Sequence, residues 1–172
     1  MQSIRKVTED ILWVGCNDRR ITLFENLFPV PKGVSYNSYL ILDEQVTLMD
    51  TVDASATEQF FENLEAGLQG RSIDYLVVHH MEPDHAANIK LLLEKYPEIQ
   101  VVASAKALQM IEGYYGVKGN AIEVKEGSTL DLGDGKSLSF HMIPMVHWPE
   151  TMVTWCAEEQ TLFSGDAMGT FG

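Results

Sequence analysis

At 172 residues the chain is long enough for one domain with a substantial buried core and too short for two of ordinary size. Its 12 Lys and Arg stand against 25 Asp and Glu, and the resulting formal net charge of −13 repels nucleic acid and anionic membrane surfaces. The composition is that of a globular protein, with no apolar run of the roughly 18 to 20 residues that a membrane span needs and no secretory signal at the amino terminus, so cytoplasmic residence is expected.

Strand signals, short runs rich in β-branched and aromatic residues, start at residues 11–14 and return at 35–42 and 46–49. The polar Asp43-Glu44-Gln45 between the last two predicts an antiparallel hairpin ending at Asp50-Thr51-Val52-Asp53. A helix is expected over 54–68, where Phe60, Phe61, Leu64 and Leu68 fall at helical spacing. A buried strand at 75–78 follows, then a helix at 86–96 stopped by Pro97, a strand at 100–103 and a helix at 105–114 carrying Leu108 and Ile111. Strands close the chain at 122–124, 138–143, 153–156 and 161–163, with turns at 125–128 and 132–135. This order calls for sheets covered by helices, a layered α/β domain over 1–172 with no repeat or linker to divide it. Cys16 and Cys156 lack Cys-x-x-Cys spacing and read as buried free thiols.

The chemistry concentrates where the 75–78 strand runs into His79-His80-Met81-Glu82-Pro83-Asp84-His85. Loops at strand ends are where sites are built. In an extended loop alternate side chains point the same way, so His80, Glu82 and Asp84 are expected to converge, with His85 at the start of the next helix adding a nitrogen. Such a carboxylate-rich mixture suits a hard or borderline metal ion. His79 is out of register with that alternation and is expected to be structural or to support a ligand from behind. Further along, His147 lies in a loop bracketed by Pro144 and Pro149 and is the better ligand candidate, while His141 sits among apolar neighbours in a strand and reads as structural or surface. Asp166 follows a short apolar strand on a turn that Gly165 permits, and its carboxylate could bridge two metals. Trp148 reads as packing beside the site.

The run His80-x-Glu82-x-Asp84-His85, followed by His147 and Asp166, resembles the metallo-β-lactamase superfamily, and a glutamate where its hydrolases carry histidine is the mark of the flavodiiron proteins. The stretches Phe24-Glu25-Asn26-Leu27-Phe28-Pro29, Gly33-Val34-Ser35-Tyr36-Asn37-Ser38-Tyr39-Leu40, His147-Trp148-Pro149-Glu150-Thr151-Met152 and Phe163-Ser164-Gly165-Asp166-Ala167 are similar to that family too. The resemblance implies the amino-terminal part of a four-layer αβ/βα sandwich with a non-haem diiron site. In it His80, Glu82 and His147 hold one iron, Asp84 and His85 serve the other, and Asp166 bridges them. It further implies reduction of oxygen to water or of nitric oxide to nitrous oxide, with electrons arriving through FMN from a donor such as rubredoxin or a flavoprotein reductase. Glu82 in place of an imidazole adds negative charge, which stabilises the more oxidised iron and lowers its potential.

Two departures from the family shape the expectation. Its last histidine ligand and its flavodoxin-like FMN module both lie beyond the Asp166 position, and residues 1–172 contain neither, so the chain is expected to be the shortened metallo-domain of a longer parent, without FMN of its own. Apolar faces left uncovered by the rest of the fold favour a homo-oligomer. His79 also stands where many relatives carry asparagine. The competing expectations are a zinc hydrolase of the same superfamily, from which Glu82 discriminates, and a fragment without catalytic activity.

Overall fold

The computed structural model describes residues 3–117 and 120–170; Met1, Gln2, Lys118, Gly119, Phe171 and Gly172 lie outside the described residues. In chain order the strands are β1 (Arg5–Lys6), β2 (Ile11–Trp13), β3 (Cys16–Asp18), β4 (Leu23–Phe24), β5 (Phe28–Pro29), β6 (Val34–Tyr36), β7 (Tyr39–Ile41) and β8 (Thr47–Met49), before helix α1 (Thr57–Leu68). Then come β9 (Tyr75–Val78), α2 (Pro83–Ala86), α3 (Ile89–Lys95), β10 (Gln100–Ser104), α4 (Ala105–Tyr115) and β11 (Asn120–Val124). The chain closes with β12 (Thr129–Asp131), β13 (Ser137–Met142), β14 (Met152–Cys156) and β15 (Thr161–Phe163).

A seven-stranded sheet in the order β1-β2-β7-β8-β9-β10-β11 is antiparallel up to β8 and parallel from β8 onward. Parallel neighbours require crossover connections, and α1, the α2–α3 pair and α4 supply them. β12 to β15 form a second, antiparallel sheet of four strands. The side-chain period of two decides how the layers stack. On β7, β8, β9 and β10 the residues Leu40, Leu48, Leu76 and Val101 join Phe60, Leu64, Leu92 and Ile111 in a core beneath the helices. Their neighbours Ile41, Met49, Val77 and Val102 face the other way, into a second core with Leu138, Phe140, Met152 and Phe163 of the four-stranded sheet. Helices, large sheet and small sheet are therefore three successive layers of the αβ/βα sandwich. Being covered on both faces explains why the central strands read as continuous apolar runs. No helix among the described residues is long and apolar enough to cross a membrane.

The helix ends follow their sequence signals. Ser104 Oγ accepts from Ala107 N–H at 3.3 Å at the start of α4, and Gly116, at φ +66, closes it. Phe60 on α1 is wholly buried, so Phe60→Ala is expected to cost about 3–5 kcal/mol, read as a fall in the urea midpoint at constant slope.

The structure corrects several expectations. The 35–42 run is two strands: Tyr36 pairs with Cys16 in a small ribbon, whereas Tyr39 pairs with Trp13 and Met49 in the large sheet. Between them Asn37 accepts from Trp13 Nε1 at 3.0 Å, and Ser38 Oγ donates to Asp50 O at 2.9 Å. The helix expected at 86–96 begins earlier, because Pro83 starts a helical turn, and it breaks between α2 and α3. Five strands of two or three residues, β1, β3, β4, β5 and β12, were not expected. Cys16 and Cys156 are free and buried as read, and burial next to Asp18 pushes the Cys16 thiol up to about 11.

Candidate metal centre

β8 and β9 run parallel and end side by side, and the six candidate residues gather at that end of the sheet. Two backbone features carry the first of them. Glu150 Oε1 accepts from Met81 N–H at 2.9 Å, holding the 80–82 loop extended, so His80 and Glu82 project to the same side. Pro83 then turns the chain into α2. Asp84 therefore leaves the alternation that was expected to align it with His80 and Glu82, and joins His85 instead.

The remaining two come from the smaller sheet. His147 sits ahead of β14 at φ +81, a left-handed conformation that is rare outside glycine. Met145 N–H donates to Trp148 O at 3.0 Å, and Thr151 Oγ1 bonds both Trp148 N and O, at 3.0 and 2.8 Å; together these hold that turn. Asp166 follows β15 in a helical turn entered through Gly165 at φ +49.

The donor atoms fall into two groups that share one residue. In the first, His80 Nε2 is 3.3 Å from Glu82 Oε2, His147 Nε2 touches the same oxygen, and both nitrogens lie 4.0 and 3.9 Å from Asp166 Oδ2. In the second, His85 Nε2 is 3.0 Å from Asp166 Oδ1 and 3.6 Å from Asp84 Oδ2. Each group can present one ligand atom per residue within 4.8 Å of the others, His80, Glu82, His147 and Asp166 on one side and Asp84, His85 and Asp166 on the other. Ligand bonds of about 2.0–2.2 Å place neighbouring donors about 3–4 Å apart, which the separations other than the shorter His147–Glu82 contact match.

The electrostatics fit cations as well. Burial raises the Asp84 carboxyl, His85 opposes it, and the charges of Glu82 and Asp166 add to the rise, leaving it at about 7. Burial lowers the pKa of the His85 ring, but Asp166 and Asp50 outweigh it and push it well above the usual value. Burial likewise works against the charged forms of Glu82 and Asp166, and the surrounding histidines hold both carboxyls below their ordinary range. Asp84 Oδ1 is buried without a hydrogen-bond partner. A buried acceptor left alone is costly, and a cation resolves that cost together with the mutual repulsion of the acids. An imidazole and carboxylate donor set without thiolate suits iron, manganese or zinc.

His80 and His85 are buried, whereas the side chains of His147 and Asp166 remain 40% and 35% exposed, so the centre opens on their side. A cavity of about 270 Å³ reaches His85 and Asp166 from beside Tyr39 and Phe163. Trp148 packs against the helix-side core with its ring centroid 6.3 Å from that of His80. His141 is at the surface, with Nδ1 2.9 Å from Glu126 Oε1.

A family profile described as ODP family beta lactamase matches residues 34–172. The chain belongs to the ODP family. Its structure superposes on the flavodiiron protein from Giardia intestinalis with a TM-score of 0.93 at 30% identity, covering 99% of this chain and 42% of that one. Against the rubredoxin oxygen:oxidoreductase of Desulfovibrio gigas the TM-score is 0.87 at 32% identity, over 93% and 40% of the two chains. Among curated sequences it is 40% identical to the anaerobic nitric oxide reductase flavorubredoxin of Aliivibrio salmonicida over 165 residues, 95% of this chain and 33% of that protein. The ODP-family chain thus has the fold of the flavodiiron metallo-β-lactamase-like domain, and it spans about a third of the length of the curated relatives it matches.

The sequence reading missed two residues that shape this ODP-family site. Asp50 appeared only as the end of a hairpin, yet it accepts from His79 and faces His85. The signal was its place: an acid at the end of the strand that neighbours the ligand-bearing one. Glu25, on the β4–β5 turn, approaches Glu82; burial and then the Glu82 charge raise its carboxyl pKa. Only the tertiary fold brings these two acids together.

Proposed function

We propose that His80, Glu82, His147 and Asp166 hold one iron ion and Asp84, His85 and Asp166 a second, and that the chain is the reducing centre of a flavodiiron-type oxidoreductase. One observation carries the reading: the two oxygens of Asp166 face different donor groups, Oδ2 toward His80 and His147 and Oδ1 toward His85. A carboxylate so placed would be shared by two cations held in those groups. The relatives named nitric oxide reductase flavorubredoxin and rubredoxin oxygen:oxidoreductase support the substrates, oxygen reduced to water and nitric oxide to nitrous oxide.

When bound, two irons would supply electrons and open coordination positions for a small diatomic. The chain's own residues set the conditions around them. Glu82 contributes a negative charge between two imidazoles, and buried His80 and His85 close the inner wall against bulk water. The half-exposed edge at His147 and Asp166 is the solvent side of the centre, from which a diatomic would enter. Reducing oxygen to two waters takes four electrons and four protons; joining two nitric oxides into nitrous oxide and water takes two of each. The electrons come from a rubredoxin or flavoprotein reductase through FMN on a separate module. We extend the proposal to a cytoplasmic homo-oligomer, to which the exposed Trp155 and Leu162, cross-strand partners on the four-stranded sheet, contribute apolar surface.

Anaerobic loading with ferrous iron is expected to give two irons per chain. The loaded parent protein, supplied with a reduced donor, should consume oxygen or nitric oxide. Two tightly held zincs acquired from iron-replete medium, with hydrolysis of thioesters and no consumption of either gas, would sink the proposal.

A further inference from the structure

Behind the candidate ligands runs a line of buried polar side chains that the six residues leave unexplained. Thr154, on β14 of the smaller sheet, has Oγ1 2.9 Å from His79 Nε2. His79 Nδ1 is 2.8 Å from Asp50 Oδ2, and the His79 backbone N–H donates to Asp50 Oδ1 at 2.8 Å. Asp50 Oδ2 lies in turn 3.6 Å from His85 Nδ1, an ion-pair contact longer than a hydrogen bond, and that buried nitrogen has no hydrogen-bond partner among the described residues. Thr154, His79, Asp50 and His85 are all buried.

The chemistry of these atoms gives the line a direction. An ionised carboxylate only accepts, so the His79 nitrogen facing Asp50 carries a hydrogen, and its other nitrogen accepts a hydrogen bond from the Thr154 hydroxyl. Asp50 adopts φ +55, a conformation that costs a non-glycine residue about 1–3 kcal/mol unless its surroundings impose it. They do: its N–H donates to Val77 O at 2.9 Å and its carbonyl accepts from Ser38 Oγ at 2.9 Å. The two ring nitrogens of an imidazole point apart. With Nδ1 of His85 toward Asp50, Nε2 faces Asp84 and Asp166.

We propose that His79 is a positioning residue: suspended between Thr154 and Asp50, it fixes the Asp50 carboxylate against His85 Nδ1 and so aims His85 Nε2 into the second donor group. The inference rests on the two-ion reading above. The His79 backbone N–H secures only Oδ1; without the ring, Oδ2 keeps no hydrogen bond and only the longer contact with His85 Nδ1 at 3.6 Å, and the carboxylate is free to swing. Partners that orient a histidine ligand from behind are worth roughly 10–100-fold in metal affinity.

Two variants separate this role from simple packing. In His79→Asn the amide reaches the position of Nδ1 and can still donate to Asp50; in His79→Gln it reaches the position of Nε2, holds Thr154 and leaves Asp50 Oδ2 alone. Anaerobic titration of the full chain with Co(II), followed by its visible absorption, is expected to show two equivalents for the wild type. His79→Gln should weaken the second by roughly 10–100-fold and spare the first, while His79→Asn stays near wild type. Identical behaviour of the two variants would overturn the proposal. If the wild type takes up fewer than two ions, the two-ion reading fails instead, and crystal structures of the metal-free variants then decide. In His79→Gln the 3.0 Å contact between His85 Nε2 and Asp166 Oδ1 should be lost, and its persistence would overturn the positioning role.

Discussion

Asp166→Ala is expected to abolish uptake of both ions, whereas His147→Ala weakens one and Asp84→Ala the other. The asymmetry follows from where the oxygens lie: Asp166 alone contributes to both donor groups, and its removal leaves three donors in one and two in the other. A residue that merely orients a ligand is worth roughly 10–100-fold in affinity, so loss of a bridging ligand should exceed that for each ion. In the metal-free protein the substitution removes a negative charge that repels Asp84, and His80, His85 and His147 still face the remaining acids, so the fold suffers less than the metal site. Metal analysis after exhaustive buffer exchange, with circular dichroism to check the fold, measures both quantities. Asp166→Ala protein that retains two ions would remove the bridge from the argument.

Chelation should destabilise the protein by an amount set by mass action. A ligand that binds only the folded state at 100 times its dissociation constant contributes about 2.7 kcal/mol, so two such ions contribute about twice that. For a domain of this size each kcal/mol moves the melting midpoint by roughly 2–4 °C, which predicts a fall of roughly 10–20 °C on metal removal. Calorimetry of iron-loaded and chelated protein under anaerobic conditions provides the comparison. A melting midpoint that does not move with iron would mean that the ions do not select the folded state, and the clustered acids would then need another explanation.

Much of this centre is visible in the residues themselves, because a dense His and acid motif at the end of a buried strand leaves few other uses. His80, Glu82, His85, His147 and Asp166 could be nominated from spacing and from the ends of predicted strands. The partition among them could not be read so directly. Alternation assigned Asp84 to the His80 side, but Pro83 ends the extended stretch and a helical turn rotates Asp84 toward His85. The hairpin joining β7 and β8 was legible from its polar turn, and the helices from their apolar stripes. Ribbons such as β3 with β6 were not, since Cys16-Asn17-Asp18 has neither strand composition nor alternation, and its pairing with 34–36 simply continues the register of β2 against β7 past the interruption at Asn37 and Ser38. Asp50 and Glu25 escaped for a related reason: their importance lies in which distant atoms they meet.

The ligands come from two separately hydrogen-bonded sheets, and Met152 N–H to His79 O, at 3.0 Å, stitches those sheets together at the centre. A pair of ions held there would act as a rivet through two plates. Its fit is governed by whatever sets the gap between the plates, and that is the layer of Ile41, Met49, Val77, Phe140 and Met152 running away from the ions. Trimming a methylene from that layer would touch no ligand, yet it would let one plate slide on the other and put the rivet holes out of line.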